Sequence, residues 1–219
     1  MGKSMLRSRV LGIALVGVAT VVLAAVVAAL FLMGGVGIAA GKPPIPKPKD
    51  VFTAVYEARV LCPGGEKVMN LTLVYRGGKL GEIYMGGLRI PPAAFRHPHE
   101  LSYIGELLLD LDMIYKVDNG TVGGFGGLVK KRHSGLVSLA NSPYKATSVL
   151  SILTSFNYTY LEIKGLGFVK NLTINGLFLD FDEESGVPYA FQLSILHNVA
   201  RQICDFSYMF IYAYLTKVK

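Results

Sequence analysis

Catalysis needs acid, base and nucleophile types gathered in one place. The densest polar clusters of this 219-residue chain are His97-Pro98-His99-Glu100 and Asp180-Phe181-Asp182-Glu183-Glu184. Two histidines and a carboxylate are metal-ligand types. In a proline-bounded loop, however, the HxHE order lacks the helical geometry of an HExxH zinc site, and an exposed loop is the plainer reading. Asp180, Asp182 and Glu184 offer alternating carboxylates for calcium without the full spacing of a calcium loop, so a solvated strand end accounts for them. Gly123–Gly127 ahead of Lys130-Lys131-Arg132 invites a phosphate-loop reading, but GxxxxGK[ST] is not there. His133 and His197 stand alone. No metal, cofactor or catalytic residue is assigned, and the chain is read as non-enzymatic.

The remaining chemistry is that of an exported surface. Cys62 and Cys204 have neither a CxxC partner nor a histidine at ligand spacing, and in an oxidising compartment they are expected to pair. Four sequons, at Asn70, Asn119, Asn157 and Asn171, each have threonine two residues on. Strand alternation is expected to turn Asn70 and Asn171 outward, accessible to glycans. The twelve tyrosines could form a sugar-binding platform, although aromatic residues on both faces of a strand more often serve packing within and between subunits.

The element that must position all of this is Val10–Gly41, an uncharged run longer than the roughly 20 residues needed to cross a bilayer as a helix. Lys3, Arg7 and Arg9 precede it with no acid, which keeps the N-terminus cytoplasmic and exports the rest. A retained anchor or a late-cleaved signal fits first. Arg7-Ser8 also looks like the short basic leader of archaeal type IV pilins, whose apolar helix is kept. Three parts follow: residues 1–41 as leader and membrane or signal segment, 42–50 as a proline-rich linker, and 51–219 as one extracellular domain. The formal charge of +7 is largely in the first fifty residues, so nucleic acid is not implied.

Within the domain the pattern is β. Val51–Leu61 places Phe52, Ala54, Tyr56, Ala58 and Val60 on one face, and Val68–Arg76 places Met69, Leu71, Leu73 and Tyr75 inward, with Leu80–Met85 as a short third strand. Glu106–Val117 is read as a strand, although Leu101, Ile104, Leu108 and Leu111 also allow a helix. A short helix is expected after Ser142-Pro143, with Val149, Leu150, Ile152 and Leu153 on it. Tyr158–Lys164, Phe168–Ile174, Leu177–Asp182, Tyr189–Leu196 and Asp205–Val218 read as further strands, the last with apolar residues on both faces and so central in a sheet. The expected fold is all-β, a β-sandwich of jelly-roll type carried by one N-terminal transmembrane helix or signal segment.

Leu61-Cys62-Pro63-Gly64-Gly65 before an alternating strand, Arg76-Gly77-Gly78 before a second, and Gln202 ahead of the aromatic-rich Phe206–Leu215 together resemble the TasA/camelysin family of exported biofilm-fibre proteins. They cover about 50 of the 219 residues. Gly65 stands where that family has Asp, and its closing Ala-Thr-Gln is absent. The resemblance implies a jelly-roll subunit that polymerises by giving its N-terminal strand to a neighbour. The order of parts allows this too: a terminal strand reached through an extended linker of about 28 Å can be exchanged. Phe52, Ala54 and Tyr56 would then fill pockets of the next subunit. The expectation is a cell-surface or secreted filament subunit, a homopolymer associated with the membrane, with a monomeric anchored ectodomain that binds sugar or serves a membrane complex as the alternative.

Overall fold

Alternation of apolar and polar residues sets the first strands, and their faces are those expected. The computed structural model describes residues 41–96, 103–119, 128–137, 139, 141–163, 167–195 and 197–219. The apolar run before residue 41, the His97–Glu100 cluster and the Gly123–Gly127 loop lie outside them. Strands β1 (Val51–Cys62), β2 (Gly65–Arg76), β3 (Lys79–Met85) and β4 (Leu88–Ile90) form an antiparallel meander. Two short helices follow, α1 (Tyr103–Leu109) and α2 (Asp112–Asp118), and then a second meander, β5 (Leu128–Val137), β6 (Ala146–Ile163), β7 (Gly167–Asp182) and β8 (Val187–Ile195). Helix α3 (Asn198–Cys204) leads into β9 (Met209–Val218), which pairs with both β8 and β1.

The result is one nine-stranded antiparallel sheet in the order β4-β3-β2-β1-β9-β8-β7-β6-β5. The chain is strand-rich as expected, but its pairing is that of two meanders joined edge to edge, not two facing sheets of a jelly roll. Curling replaces stacking. Helix α1 touches β3 and also β6, β7 and β8, although five strands separate β3 from β6 in the sheet. The sheet therefore wraps around α1, whose Ile104, Leu107 and Leu108 are fully buried. Gly105 makes the closest approach, since a Cβ there would stand 2.0 Å from the carbonyl oxygen of Phe95 in the 3-10 turn Pro92–Phe95.

Two expected elements change type. Glu106–Val117 is helical: a strand would send Leu108 away from Leu107 and Leu109, whereas a helix enclosed by a curled sheet buries all three. The stretch after Ser142-Pro143 is strand β6, because Thr147, Val149, Ile152 and Thr154 are β-branched. Ser142 donates to the Leu215 carbonyl at 2.8 Å instead of capping a helix. Strand β7 runs unbroken where two strands were expected, and α3 was not anticipated. Nor does the linker project freely: Ile45 is buried, Lys145 N–H donates to the Pro43 carbonyl at 3.0 Å, and Lys42 Nζ donates to the Leu139 carbonyl at 2.9 Å. The chain thus enters at the end of the sheet where β1 begins and β9 finishes. Cys62, α3 and the start of β9 lie at the far end.

Candidate binding face on the outer side of the sheet

Strand β9 has a period of two, and its two faces meet different surroundings. Met209, Ile211, Ala213 and Leu215 point into the curl and are fully buried. Phe210, Tyr212 and Tyr214 point outward, continuing a row begun by Phe206 and Tyr208 in the approach to the strand. Successive ring centroids are 6.3, 6.2 and 6.2 Å apart for Phe206–Tyr208, Tyr208–Phe210 and Tyr212–Tyr214. The row is open at the far end, where Phe206, Tyr208 and Phe210 are 48%, 42% and 37% exposed, and closed at the entry end, where Tyr214 is 3% exposed.

Neighbouring strands add to the open end. Leu61 pairs with Phe210 and is exposed, as is Val68, which pairs with Arg59. The Arg59 guanidinium lies 3.3 Å from Glu66 at the rim. On the other side Gln192 pairs with Tyr212, and the Phe178 ring stands 5.9 Å from that of Tyr212. Ser194 pairs with Phe210, and its hydroxyl is buried with no hydrogen-bond partner among the described residues. A buried hydroxyl without a partner is unusual. Sequence reading found the aromatic row but not Gln192, Ser194, Leu61 or Val68, because placing these beside it requires the register of β8 and β1 against β9.

The closed end is a polar lattice. Tyr214 donates to Glu57, and burial together with that carboxylate pushes its hydroxyl up to about 12. Burial raises the Asp180 carboxyl above the ordinary range, opposed by the Ser151 hydroxyl, which donates to it at 2.6 Å, and by His133. Tyr212 is raised by burial and by the charge of Asp180.

Each part of the acidic run has a protein partner. Asp182 accepts from the backbone N–H and hydroxyl of Ser185 at 2.9 and 2.5 Å, closing the β7–β8 turn. Glu183 receives Arg132 through Nε and Nη2, at 2.9 and 2.7 Å, and Glu184 accepts from Thr147. Lys130 donates to the carbonyls of Val117 and Asp118 at 3.0 and 2.6 Å, holding the C-terminus of α2, and Arg132 also binds Asp118 at 2.8 Å. The basic triplet is therefore a clasp between β5 and α2, with Lys131 left at the exposed edge. Among the described residues no group of three or more His, Cys, Asp or Glu is placed to hold a metal. His197 caps α3, its Nδ1 accepting from Val199 N–H at 3.3 Å.

The other expected sites fall as follows. Cys62 and Cys204 form a disulfide with Cα atoms 5.3 Å apart, tying the end of β1 to the end of α3, where Lys67 Nζ also donates to the Ile203 carbonyl at 2.5 Å. Asn70 is exposed on the outer face and Asn119 at the end of α2. Asn157 lies on β6 and Asn171 on β7, with Asn157 paired to Thr173 of the second sequon. Phe52, Ala54 and Tyr56 are buried in their own domain, on a strand flanked by β2 and β9. Among the described residues no helix is long and apolar enough to cross a membrane. No family model matches the chain, and no curated protein matches its sequence.

Proposed function

We propose that the chain is a non-enzymatic ectodomain of the cell surface, anchored by its N-terminal apolar run, that binds carbohydrate on the open end of the β9 aromatic row. The observation that carries this reading is the graded exposure of that row. Three rings stand open at the end remote from chain entry, flanked by the glutamine amide of Gln192 and the Arg59–Glu66 pair. Aromatic faces pack against the C–H faces of sugar rings, while hydroxyl, amide and ionic groups at the rim satisfy their hydroxyls. The disulfide and the exposed Asn70 support an exported location. Full-length protein in detergent, tested against arrayed cell-surface glycans, is expected to bind. Tyr208→Ala and Phe210→Ala should each weaken binding about tenfold or more, with melting temperature unchanged. Absence of binding by the wild type, or binding by both variants as strong as the wild type's, refutes the assignment.

Assembly by strand exchange is the less favoured reading. Strand β1 would have to leave both β2 and β9 and withdraw Phe52, Ala54 and Tyr56 from the core. The outermost strands of the described sheet are guarded as well: β4 has three residues, and β5 carries Lys130, Lys131, Arg132 and His133.

A further inference from the structure

A backbone with positive φ favours glycine, because a Cβ there crowds the neighbouring carbonyl. Among the described residues positive φ occurs at seven glycines and at one other residue, Asp205, which ends α3 with φ 59° and ψ 18°. Its N–H donates to the Arg201 carbonyl at 3.0 Å, a main-chain bond that glycine would make equally well. The helix end does not need the carboxylate.

Neither does any neighbouring charge. The Asp205 side chain is exposed and has no hydrogen bond or ion pair to a described residue, not even to Arg201 one helical turn before it. Around it the other charges are engaged: Arg59 with Glu66, Glu57 with Tyr214, and Lys67 with the Ile203 carbonyl. Asp205 also stands at the open end of the aromatic row. It follows Cys204, which the disulfide fastens to the end of β1, and it precedes Phe206, the most exposed ring of the row. Leu61, next to the other half of that disulfide, pairs with Phe210. The cross-link thus holds the left-handed residue beside the exposed rings.

We infer that Asp205 is the acceptor that selects the ligand of the aromatic row, and that this ligand is an uncharged pyranoside with two neighbouring free hydroxyls. The inference rests on the carbohydrate reading. A carboxylate presents two accepting oxygens, which match two adjacent hydroxyl donors, and such charge-assisted bonds are stronger than neutral ones. An asparagine keeps one accepting oxygen and loses the charge. A uronic acid brings a second negative charge to the same place and is repelled. An aspartate kept where glycine suits the backbone better costs the fold some stability, and ligand selection accounts for that cost.

The test measures binding of the full-length protein in detergent to immobilised dextran, mannan and polygalacturonate, the last a polymer of a uronic acid. Wild type is expected to hold at least one of the two neutral polymers and to prefer it to polygalacturonate. Periodate treatment of that polymer, which cleaves vicinal diols, should abolish the binding. Asp205→Gly should melt at or above the wild-type temperature and yet bind about tenfold or more weakly; Asp205→Asn should lose binding to a similar extent, whereas Arg201→Ala should not. The inference is overturned by wild-type binding from either Asp205 variant, by preference for polygalacturonate, by loss of binding in Arg201→Ala, by indifference to periodate, or by a lower melting temperature of Asp205→Gly, which would assign the carboxylate to the fold. Tyr208→Ala on the same polymers reports the row separately. If it weakens binding while Asp205→Gly does not, the inference falls and the carbohydrate reading stands; if the wild type binds no glycan at all, the reading falls and takes the inference with it.

Discussion

The hydroxyl of Tyr56 donates to the Pro188 carbonyl at 2.9 Å, whereas that of Tyr75, equally buried in the same core, has no hydrogen-bond partner among the described residues. Each ring is well packed, Tyr56 edge-on to Phe191 at 5.1 Å and Tyr75 stacked on Phe52 at 4.9 Å. Removing one oxygen should therefore act in opposite directions. Tyr56→Phe strands a buried carbonyl and is expected to cost about 1–2 kcal/mol; Tyr75→Phe removes an unpaired polar group and is expected to be neutral or to stabilise by up to about 1 kcal/mol. Denaturant midpoints of the two variants, measured side by side, check the sign.

Gly105→Ala is expected to be among the most damaging single-methyl changes in the domain. The added carbon would meet the Phe95 backbone oxygen, which no side-chain rotation relieves, so α1 must shift within the curled sheet. A loss of about 1–3 kcal/mol or more is anticipated. Gly64→Ala, where a Cβ meets nothing within 4 Å, serves as the comparison and should leave the melting temperature nearly unchanged.

The disulfide closes a sequence separation of 142 residues. In the chain-entropy view such a loop is worth about 5 kcal/mol, so the Cys62→Ser, Cys204→Ser double variant should melt roughly 10 °C or more below the oxidised protein. The same drop on adding reductant to the wild type, and none on adding it to the double variant, would tie the effect to the cross-link.

Asp180 gives a pH-dependent prediction. Its folded-state carboxyl is raised by burial, so the folded chain holds a proton where the unfolded chain has lost it, and its contribution to stability falls as pH rises through that window. Asp180→Asn keeps an acceptor for Ser151 and removes the burial penalty. The variant is expected to exceed the wild type in stability near pH 7 and to match it below about pH 4, where both carry a neutral side chain. Glu183, held low by Arg132, has the opposite dependence in both proteins and cancels in the difference.

Much of the first meander was legible in the chain itself. Phe52, Ala54, Tyr56, Leu71, Leu73 and Tyr75 face inward as their spacing required, because one face of a half-buried strand is specified residue by residue. The helices failed for a reason of environment. Leu107, Leu108 and Leu109 satisfy either period, and what decides between them is the sheet closing around α1, a long-range fact that no local window contains. Ser142 misled in the opposite way, since its hydroxyl serves the distant Leu215 carbonyl. The aromatic row of β9 was visible, but which end of it stays open depends on Leu61, Gln192 and Ser194, brought alongside from two other strands.

The N–H and carbonyl of Thr53 exchange hydrogen bonds of 2.9 Å with those of Lys219, so the first strand and the last lie bound side by side where the chain enters. Under the proposed anchoring, a pull between residue 41 and a ligand held at the far end acts along β1. Its ladders to β2 and β9 are loaded in shear, many bonds together, instead of being peeled open one at a time. The cross-link from Cys62 to Cys204 passes that load on to α3 and the root of β9. A domain held in this way resists extension best along the line from residue 41 to the open end of the β9 row.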